Sequence, residues 1–187
     1  MPTHELILGG QRSGKSRCGE ARAATWLAMP GNTAVLLATA LAGDDEMRAR
    51  IARHQDDRAR ALAGLRVVEV PRDLASAMRT HSAPNRLVLV DCLTLWLTNL
   101  LMPQGTAPVD DAALALARDS LCKALAASAG PVVLVSNEIG LGVTPLSPEA
   151  RRFVDELGRL HQLVGAACNH VTLMLAGIEL PVKRSGA

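Results

Sequence analysis

The sequence predicts an α/β fold in which a mostly parallel sheet carries helices on both faces. Short apolar segments with the length of strands alternate with longer segments of helical periodicity. Runs such as Leu87-Val88-Leu89-Val90 are apolar at every position, which is typical of strands covered on both sides. A glycine-rich segment, residues 9–16, separates the first such strand from the first helix. This strand–loop–helix order favours a phosphate-binding α/β protein.

The predicted strands are short and rich in Val, Leu and Ile. They cover residues 5–8, 33–39, 66–70, 87–90, 131–136, 171–175 and 178–183. The last of them contains Pro181, which cannot donate a backbone hydrogen bond and is tolerated at the edge of a sheet. We therefore expect the chain to finish with an edge strand.

The predicted helices cover residues 16–29, 44–57, 72–81, 92–102, 110–127 and a stretch that begins at Pro148. Pro30-Gly31 ends the first helix, and Ser147 is a suitable N-cap for the last, with proline at its first position. Apolar residues of that last helix recur at helical spacing: Phe153, Leu157, Leu160 and Val164. Since neither an internal repeat nor a linker interrupts this pattern, we expect one domain over residues 1–187.

Composition narrows the range of functions. Apolar residues make up 49% of the 187-residue chain, so a sizeable core is expected. Aromatic residues make up only 2% and the net charge is +2, which argues against a nucleic-acid partner. The four cysteines show no paired spacing, which favours a reduced cytoplasmic protein without a zinc site. The apolar stretch 87–102 is too short to span a membrane and contains Asp91 and Asn99.

The glycine-rich segment matches the pattern Gly-x-x-x-x-Gly-Lys-Ser/Thr. It reads Gly9, Gly10, Gln11, Arg12, Ser13, Gly14, Lys15 and Ser16, and we expect all eight residues to bind a nucleotide. Its glycines allow backbone N–H groups to face phosphate oxygens at the start of a helix. Lys15 can reach the terminal phosphates, and the Ser16 hydroxyl can bind Mg²⁺. The alternative is a glycine turn followed by an ordinary surface lysine.

Polar residues that follow the predicted strands are the other site candidates, because ligands bind at the carboxyl ends of parallel strands. Thr39 follows the second strand, Asp91 the fourth, and Asn137 and Glu138 the fifth. Asp91 is predicted to bind Mg²⁺ or its waters opposite Ser16; the alternative is that it caps the next helix. Together these residues predict a Mg²⁺-dependent nucleotide enzyme, but they do not specify the acceptor.

Residues 44–58 combine acidic residues, arginines and a histidine. In a helix, Met47, Ile51 and His54 would share one face, and Arg50 and Arg58 would flank the histidine. Nearby positive charge favours the neutral, nucleophilic imidazole. The spacing alone favours the alternative, a half-packed helix histidine beside solvated arginines. The remaining histidines are expected to be structural or exposed: His81, His161 and His170 packed, and His4 exposed.

With these motifs, the chain resembles the bifunctional adenosylcobinamide kinase / adenosylcobinamide-phosphate guanylyltransferase family of cobalamin biosynthesis. The resemblance runs essentially end to end, and its matching segments are residues 9–17, 38–40, 44–58, 90–100, 137–142 and 176–177. Two of these are specific to the family. They are Asp44-Asp45-Glu46-Met47 with its downstream His54, and Asn137-Glu138-Ile139-Gly140-Leu141-Gly142.

The resemblance implies two reactions. One is phosphorylation of adenosylcobinamide by ATP or GTP; the other is transfer of GMP from GTP to adenosylcobinamide phosphate through a guanylylated histidine. His54 holds the position of that histidine, and His54, Lys15 and Asp91 are the implied catalytic residues. Ser16 and Asp91 are the implied Mg²⁺ ligands. The resemblance further implies a RecA-like P-loop NTPase fold and a cytoplasmic homotrimer.

The resemblance also implies nucleotide contacts outside the phosphate loop, at Ala38, Thr39, Ala40, Arg58, Ala59, Arg60, Ala61, Glu69 and Asp91. The chain departs from the family here, since Ala59 replaces the usual proline after the arginine and Leu65 stands where a Trp is common. Glu138 and Asp91 remain candidates for the base of the kinase step, and Glu138 could equally shape its loop. A plain small-molecule kinase, and a nucleotide-switch or ATPase module, remain alternative functions.

Overall fold

A computed structural model describes residues 2–41 and 64–185. Over these residues the strands are β1 (His4–Gly9), β2 (Thr33–Ala38), β3 (Leu65–Glu69), β4 (Arg86–Asp91), β5 (Val132–Asn137), β6 (His170–Leu175) and β7 (Ile178–Arg184). The helices are α1 (Lys15–Leu27), α2 (Leu74–His81), α3 (Leu93–Leu101), α4 (Asp111–Ala126) and α5 (Pro148–Ala167). The predicted helix 44–57 lies outside the described residues.

The seven strands form one sheet in the order β3-β2-β4-β5-β1-β6-β7. All neighbouring pairs are parallel except β6 and β7, which are antiparallel. The prediction of a mostly parallel sheet is therefore confirmed. Gly9 pairs with Asn137, Ala38 pairs with Asp91, and Asp91 pairs with Val135, so β1 and β5 end two residues beyond β2 and β4. This register brings the residues that follow these four strands to one edge, the carboxyl edge.

Helices cover the sheet on both faces, as predicted, and each face has its own core. The larger core includes Leu74 of α2, Leu93 of α3 and Leu157 of α5. The smaller core packs α1 against the opposite face. Neighbouring residues of one strand divide between them: Leu6 belongs to the larger core and Ile7 to the smaller. Because both of these side chains are fully buried, the strands are apolar at every position.

Helix starts follow the capping chemistry of the sequence. The Ser147 hydroxyl accepts a hydrogen bond from the Ala150 amide at 3.1 Å, and Pro148 occupies the first turn of α5, which confirms the predicted start. The carboxylates of Asp73 and Asp110 cap α2 and α4 in the same way. These caps satisfy amides that would otherwise have no partner within the helix.

The chain's last strand, β7, lies at the edge of the sheet and contains Pro181, as predicted. The prediction of an exposed His4 is wrong. This residue is the first of β1, a strand between β5 and β6, so its side chain is only 7% exposed. Within the described ranges, every helix is too short or too polar to cross a membrane.

Candidate functional site at the carboxyl edge

The phosphate loop connects the end of β1 to the start of α1, which confirms the predicted strand–loop–helix order. Gly9 has a φ of +155°, and a Cβ on it would lie 2.5 Å from the Met174 carbonyl oxygen and 2.6 Å from Ser13 Oγ. Gly14, the N-cap of α1, has a φ of +100° in the left-handed region. A side chain at either position would be strained, so glycine is required at both ends of the loop.

Lys15 is folded back over the loop that precedes it. Its Nζ donates a hydrogen bond to the Gly10 carbonyl oxygen at 2.6 Å and lies 3.5 Å from Ser13 Oγ. The residue is only 7% exposed, so its ammonium group is held over the loop rather than extended into solvent. A phosphate oxygen entering the loop would meet this positive charge together with the N-terminal end of α1.

The turn between β6 and β7 supports the phosphate loop from behind. The Gly177 amide donates a hydrogen bond to the Ser13 carbonyl oxygen at 3.0 Å. Ala176 and Gly177 both have positive φ values, +51° and +81°. The only sequence indication of this support was the match of Ala176-Gly177 to the family, since these residues lie far from the loop along the chain.

A hydrogen-bond network around Thr39 ties the end of β2 to the end of β4. The Thr39 amide donates to the Asp91 carbonyl oxygen at 3.1 Å. Its hydroxyl donates to the Cys92 carbonyl oxygen at 2.7 Å and accepts from the Cys92 amide at 2.8 Å. The Asn99 side chain donates to the Thr39 carbonyl oxygen at 2.8 Å. Thr39 is fully buried, so its hydroxyl holds the backbone on either side of the Asp91–Cys92 bond.

Asp91 is the last residue of β4 and is partly exposed at the carboxyl edge. The N-cap of α3 is the next residue, Cys92. Asn99, which sequence reasoning missed, also donates to the Pro71 carbonyl oxygen at 3.0 Å and so anchors α3 to the segment after β3. The backbone that carries Asp91 is therefore held both by Thr39 and by the attachment of α3 through Asn99.

The donor set at this edge fits Mg²⁺. Ser16 in the first turn of α1 and Asp91 at the end of β4 both provide oxygen atoms. Within the part of the chain that the structure describes, no three His, Cys, Asp or Glu side chains form a cluster able to hold a metal on their own. Mg²⁺ typically takes one or two protein oxygens and completes its shell with water and substrate phosphates.

Glu138 stands beside the phosphate loop. Its amide donates to the Gly9 carbonyl oxygen at 2.8 Å, and its Oε1 accepts from the Gly140 amide at 2.6 Å. The carboxylate thus shapes its own loop, as one of the two sequence interpretations expected. Its Oε2 lies 3.5 Å from Nδ1 of His161. Burial lowers the pKa of His161 and the Glu138 carboxylate opposes that shift, so His161 is predominantly neutral near pH 7.

The remaining predicted site residues are more dispersed. Ala38 ends β2 and Ala40 follows it, both at the carboxyl edge and partly exposed. Glu69 ends β3, which is four strands away from β1 and so about 19 Å across the sheet. The residues of the predicted histidine segment and its loop lie outside the described residues: His54, Arg58, Ala59, Arg60 and Ala61.

The cysteines provide no reactive thiol near this edge. All four are free. Burial raises the pKa of Cys92 to about 11 and that of Cys18 and Cys168 to about 12. Thiols with such pKa values are protonated at neutral pH and are poor nucleophiles.

The fold is shared with solved structures of low sequence identity. The flagellar accessory protein FlaH from Methanocaldococcus jannaschii matches with a TM-score of 0.51 and 11% identity over 99% of this chain and 81% of that one. A solved ATPase domain matches with a TM-score of 0.56 and 13% identity over 99% of this chain and 78% of that one. These similarities concern the fold alone, and they confirm the RecA-like P-loop architecture.

Sequence comparison identifies the family. A family model described as cobinamide kinase / cobinamide phosphate guanyltransferase matches residues 5–182. The bifunctional adenosylcobalamin biosynthesis protein CobP of Pseudomonas aeruginosa is 46% identical over 179 residues, which is 96% of each chain. The bifunctional adenosylcobalamin biosynthesis protein CobU of Salmonella typhimurium is 37% identical over 186 residues, 95% of this chain and 98% of the relative. The chain therefore belongs to the cobinamide kinase / cobinamide phosphate guanyltransferase family.

Proposed function

We propose that this bifunctional cobinamide kinase and cobinamide phosphate guanylyltransferase performs both of its reactions with one nucleotide site, at the carboxyl edge. The observation that carries the proposal is the closed phosphate loop, with Lys15 Nζ held over it 2.6 Å from the Gly10 carbonyl oxygen. Asp91 and Glu138 end or follow strands at the same edge. An anion bound in the loop would therefore have the Lys15 ammonium on one side, with the carboxylates of Asp91 and Glu138 in the same site.

In the kinase reaction, the loop amides and Lys15 bind the phosphates of ATP or GTP. The hydroxyl of adenosylcobinamide attacks the γ-phosphorus, an oxygen–phosphorus bond forms, and the bond to the bridging oxygen breaks. The nucleoside diphosphate leaves with the electron pair, and the hydroxyl proton passes to a carboxylate of the site. Lys15 stabilises the charge that develops on the departing oxygens. Ser16 and Asp91 are the residues that would hold Mg²⁺, which would supply positive charge to the phosphates.

In the guanylyl reaction, a ring nitrogen of His54 attacks the α-phosphorus of GTP, and pyrophosphate leaves. The phosphate of adenosylcobinamide phosphate then attacks the same phosphorus, the phosphorus–nitrogen bond breaks, and adenosylcobinamide-GDP is released with the imidazole restored. Family membership and the match of residues 44–54 support this assignment. A covalent carrier divides one transfer into two steps, so a single site can serve both acceptors in turn.

The wider description is also a proposal. The chain acts as one domain over residues 1–187, in the cytoplasm, as a homotrimer. The nucleotide contacts at Ala38, Ala40 and Glu69 serve the base and ribose end, because β2 and β3 lie on the far side of β4 from the phosphate loop. The family resemblance adds the segment 58–61 to these contacts. Thr39 supports that surface through its bonds to Cys92.

Labelling with GTP tests the guanylyl step. Purified protein is incubated with Mg²⁺ and GTP labelled at the α-phosphate, and acid-labile, alkali-stable label on the protein is measured. We expect wild type and a matched control, His81→Ala, to become labelled, and His54→Ala to remain unlabelled. Addition of adenosylcobinamide phosphate should transfer the label to the corrinoid. Label that persists in His54→Ala would show that another residue is the carrier.

The same preparation separates the alternative functions. Phosphorylation of adenosylcobinamide without any protein label would identify a plain small-molecule kinase. Nucleotide hydrolysis that is indifferent to corrinoid would identify an ATPase module. Neither result is expected, because the family model spans residues 5–182 without a break into a kinase-only part.

A further inference from the structure

A chain of buried hydroxyl groups leads from the start of α3 to His161. His161 Nε2 lies 2.8 Å from Ser136 Oγ, and Ser136 Oγ lies 3.1 Å from Thr94 Oγ1. Thr94 Oγ1 in turn accepts a hydrogen bond from the Asn137 amide at 2.8 Å. Ser136 is fully buried, and Thr94 and His161 are 8% and 9% exposed. Water therefore has little access to these atoms.

The hydrogen bonds between these hydroxyl groups all run in one direction, toward His161. The Asn137 amide can only donate, so Thr94 receives its first bond from the backbone. Two groups lie within reach of the Thr94 hydroxyl proton, Ser136 Oγ and the Cys92 thiol. The Glu138 carboxylate can only accept, so in a neutral ring Nδ1 carries the proton and Nε2 is the acceptor; Ser136 therefore donates to Nε2 and accepts from Thr94. A ring that accepts at Nε2 carries its proton at Nδ1, which is the atom that faces Glu138 Oε2 at 3.5 Å.

We propose that His161 is a positioning residue for the kinase reaction, and that Glu138, which it orients through Nδ1–H, is the base that takes the proton of the acceptor hydroxyl. This inference rests on the proposed function. In the step, the acceptor oxygen bonds to the γ-phosphorus, the nucleoside diphosphate departs with the electrons of the broken bond, and the hydroxyl proton passes to Glu138. The Glu138 side chain is 22% exposed, so it can return the proton to solvent.

The contacts of Glu138 suit this role better than those of Asp91. Asp91 is the carboxylate proposed for Mg²⁺, and a metal-bound oxygen is a weak base. The Glu138 amide donates a hydrogen bond to the carbonyl oxygen of Gly9, the first residue of the phosphate loop, so Glu138 lies directly beside that loop. Its carboxylate is held from two sides, by the Gly140 amide and by His161. Contacts of this kind are commonly long in unliganded sites and shorten in the complex.

Paired amide variants of His161 test the orientation. In His161→Asn the amide nitrogen is attached at the same carbon as Nδ1, so a donor to Glu138 is kept. In His161→Gln the amide lies at the level of Nε2, where its oxygen can accept from Ser136, so only the contact with Ser136 is kept. Kinase kcat and KM are measured for both, for Glu138→Gln, for Ser136→Ala and for the control His81→Gln. Self-guanylylation from GTP is measured on the same samples.

We expect Glu138→Gln to lower kinase kcat on the order of 100-fold, with the nucleotide KM near that of wild type. His161→Gln should lower kcat about tenfold, Ser136→Ala about threefold, and His161→Asn less than about threefold. His81→Gln should match wild type. Self-guanylylation should persist in all of them, since it does not involve the acceptor hydroxyl.

Equal kcat for Glu138→Gln and wild type would overturn the inference, and so would a His161→Gln variant as active as His161→Asn or more active. If the His161 variants fail to fold by circular dichroism, the Glu138→Gln and Ser136→Ala pair decides, and an unchanged kcat in either overturns it. A wild-type protein that neither becomes labelled nor phosphorylates adenosylcobinamide refutes the proposed function itself. A wild type that does both, with variants that do not differ, refutes only this inference.

Discussion

Polar side chains at the two edges of the sheet have different roles. At the amino edge, side chains close turns: Asn85 Nδ2 donates to the Gly31 carbonyl oxygen at 2.8 Å, and Ser128 Oγ donates to the Gly130 carbonyl oxygen at 3.1 Å. At the carboxyl edge, Thr39 and Ser136 are fully buried, and their bonds hold the surroundings of Asp91 and Glu138. At the amino edge, neutral side chains thus hold only the backbone. At the carboxyl edge, they also hold the charged groups that face the site.

Replacement of Lys15 tests the carboxyl edge most severely. Lys15→Ala removes the ammonium held over the phosphate loop, so both reactions should fall by on the order of 100-fold to 1,000-fold or more. The far-ultraviolet circular dichroism spectrum should stay that of wild type. Full kinase turnover in this variant would contradict the idea that one loop serves both reactions.

Replacement of Gly130 tests the amino edge. A Cβ at this position would lie 2.2 Å from the Ala83 carbonyl oxygen and 2.4 Å from that of Arg86, both of them backbone atoms. Gly130→Ala should therefore lower the free energy of unfolding by about 3 kcal/mol, measured by urea denaturation. The folded molecules should keep the wild-type kinase kcat, because this edge is remote from the phosphate loop.

Gly158 provides the matched control for that experiment. It lies inside α5, and a Cβ there would contact nothing within 4 Å. Gly158→Ala should raise the free energy of unfolding by about 0.5–1 kcal/mol, since alanine is the better helix former. Destabilisation by both variants would mean that the backbone contacts of Gly130 are not the cause of its effect.

Thr39→Val removes a buried hydroxyl from the carboxyl edge while keeping the side chain's shape. The Cys92 amide and carbonyl both lose a partner, so we expect the free energy of unfolding to fall by about 1–3 kcal/mol. Kinase kcat should fall as well, because the backbone that carries Asp91 is released. The exposed Thr25, whose hydroxyl bonds to the Ala21 carbonyl oxygen within α1, gives the control Thr25→Val. That control should leave kcat unchanged, and equal losses in the two would contradict the prediction.

Acid should weaken the fold through buried histidines. Burial lowers the pKa of His4 and of His161 in the folded protein. As pH falls through about 6.5, the unfolded chain takes up these protons first, so stability present above that pH is lost below it. Each group contributes a slope of at most about 1.4 kcal/mol per pH unit. Urea midpoints at pH 7.5, 6.5 and 5.5 should decline for wild type.

His4 is the simpler of the two histidines to remove. Its Nδ1 is buried without a hydrogen-bond partner in the described structure, whereas the ring of His161 is bonded to Ser136. His4→Leu should therefore decline less between pH 6.5 and 5.5 than wild type. An unchanged pH dependence would assign the effect to other groups.

Local patterns in the sequence predicted much of this architecture. The strands were predicted to within a few residues, because a strand buried on both faces must be apolar throughout. The phosphate loop was predicted because its spacing itself encodes the geometry, and the start of α5 because Ser147 and Pro148 are adjacent. These features depend on neighbours in sequence, which a single chain displays directly.

Features that depend on neighbours in space were not predictable. His161 contacts Ser136 and Glu138, which lie more than twenty residues earlier in the sequence. Thr39 contacts Cys92, which lies 53 residues later. The expectation that His4 is exposed failed for the same reason, since strand order alone places β1 in the middle of the sheet. Sequence periodicity gives the buried face of an element but not its partner.

The contact between Gly177 and Ser13 should report whether a nucleotide occupies the phosphate loop. The Gly177 amide donates its hydrogen bond to the phosphate loop. Gly177 itself lies in the hairpin between β6 and β7, and β7 is the edge strand of the sheet. The Gly177 amide exchanges with deuterated solvent only when this hydrogen bond opens. A triphosphate that rigidifies the loop should slow deuterium uptake at residues 176–177 and leave the distal part of β7 unaffected, so occupancy can be followed without a label on either substrate.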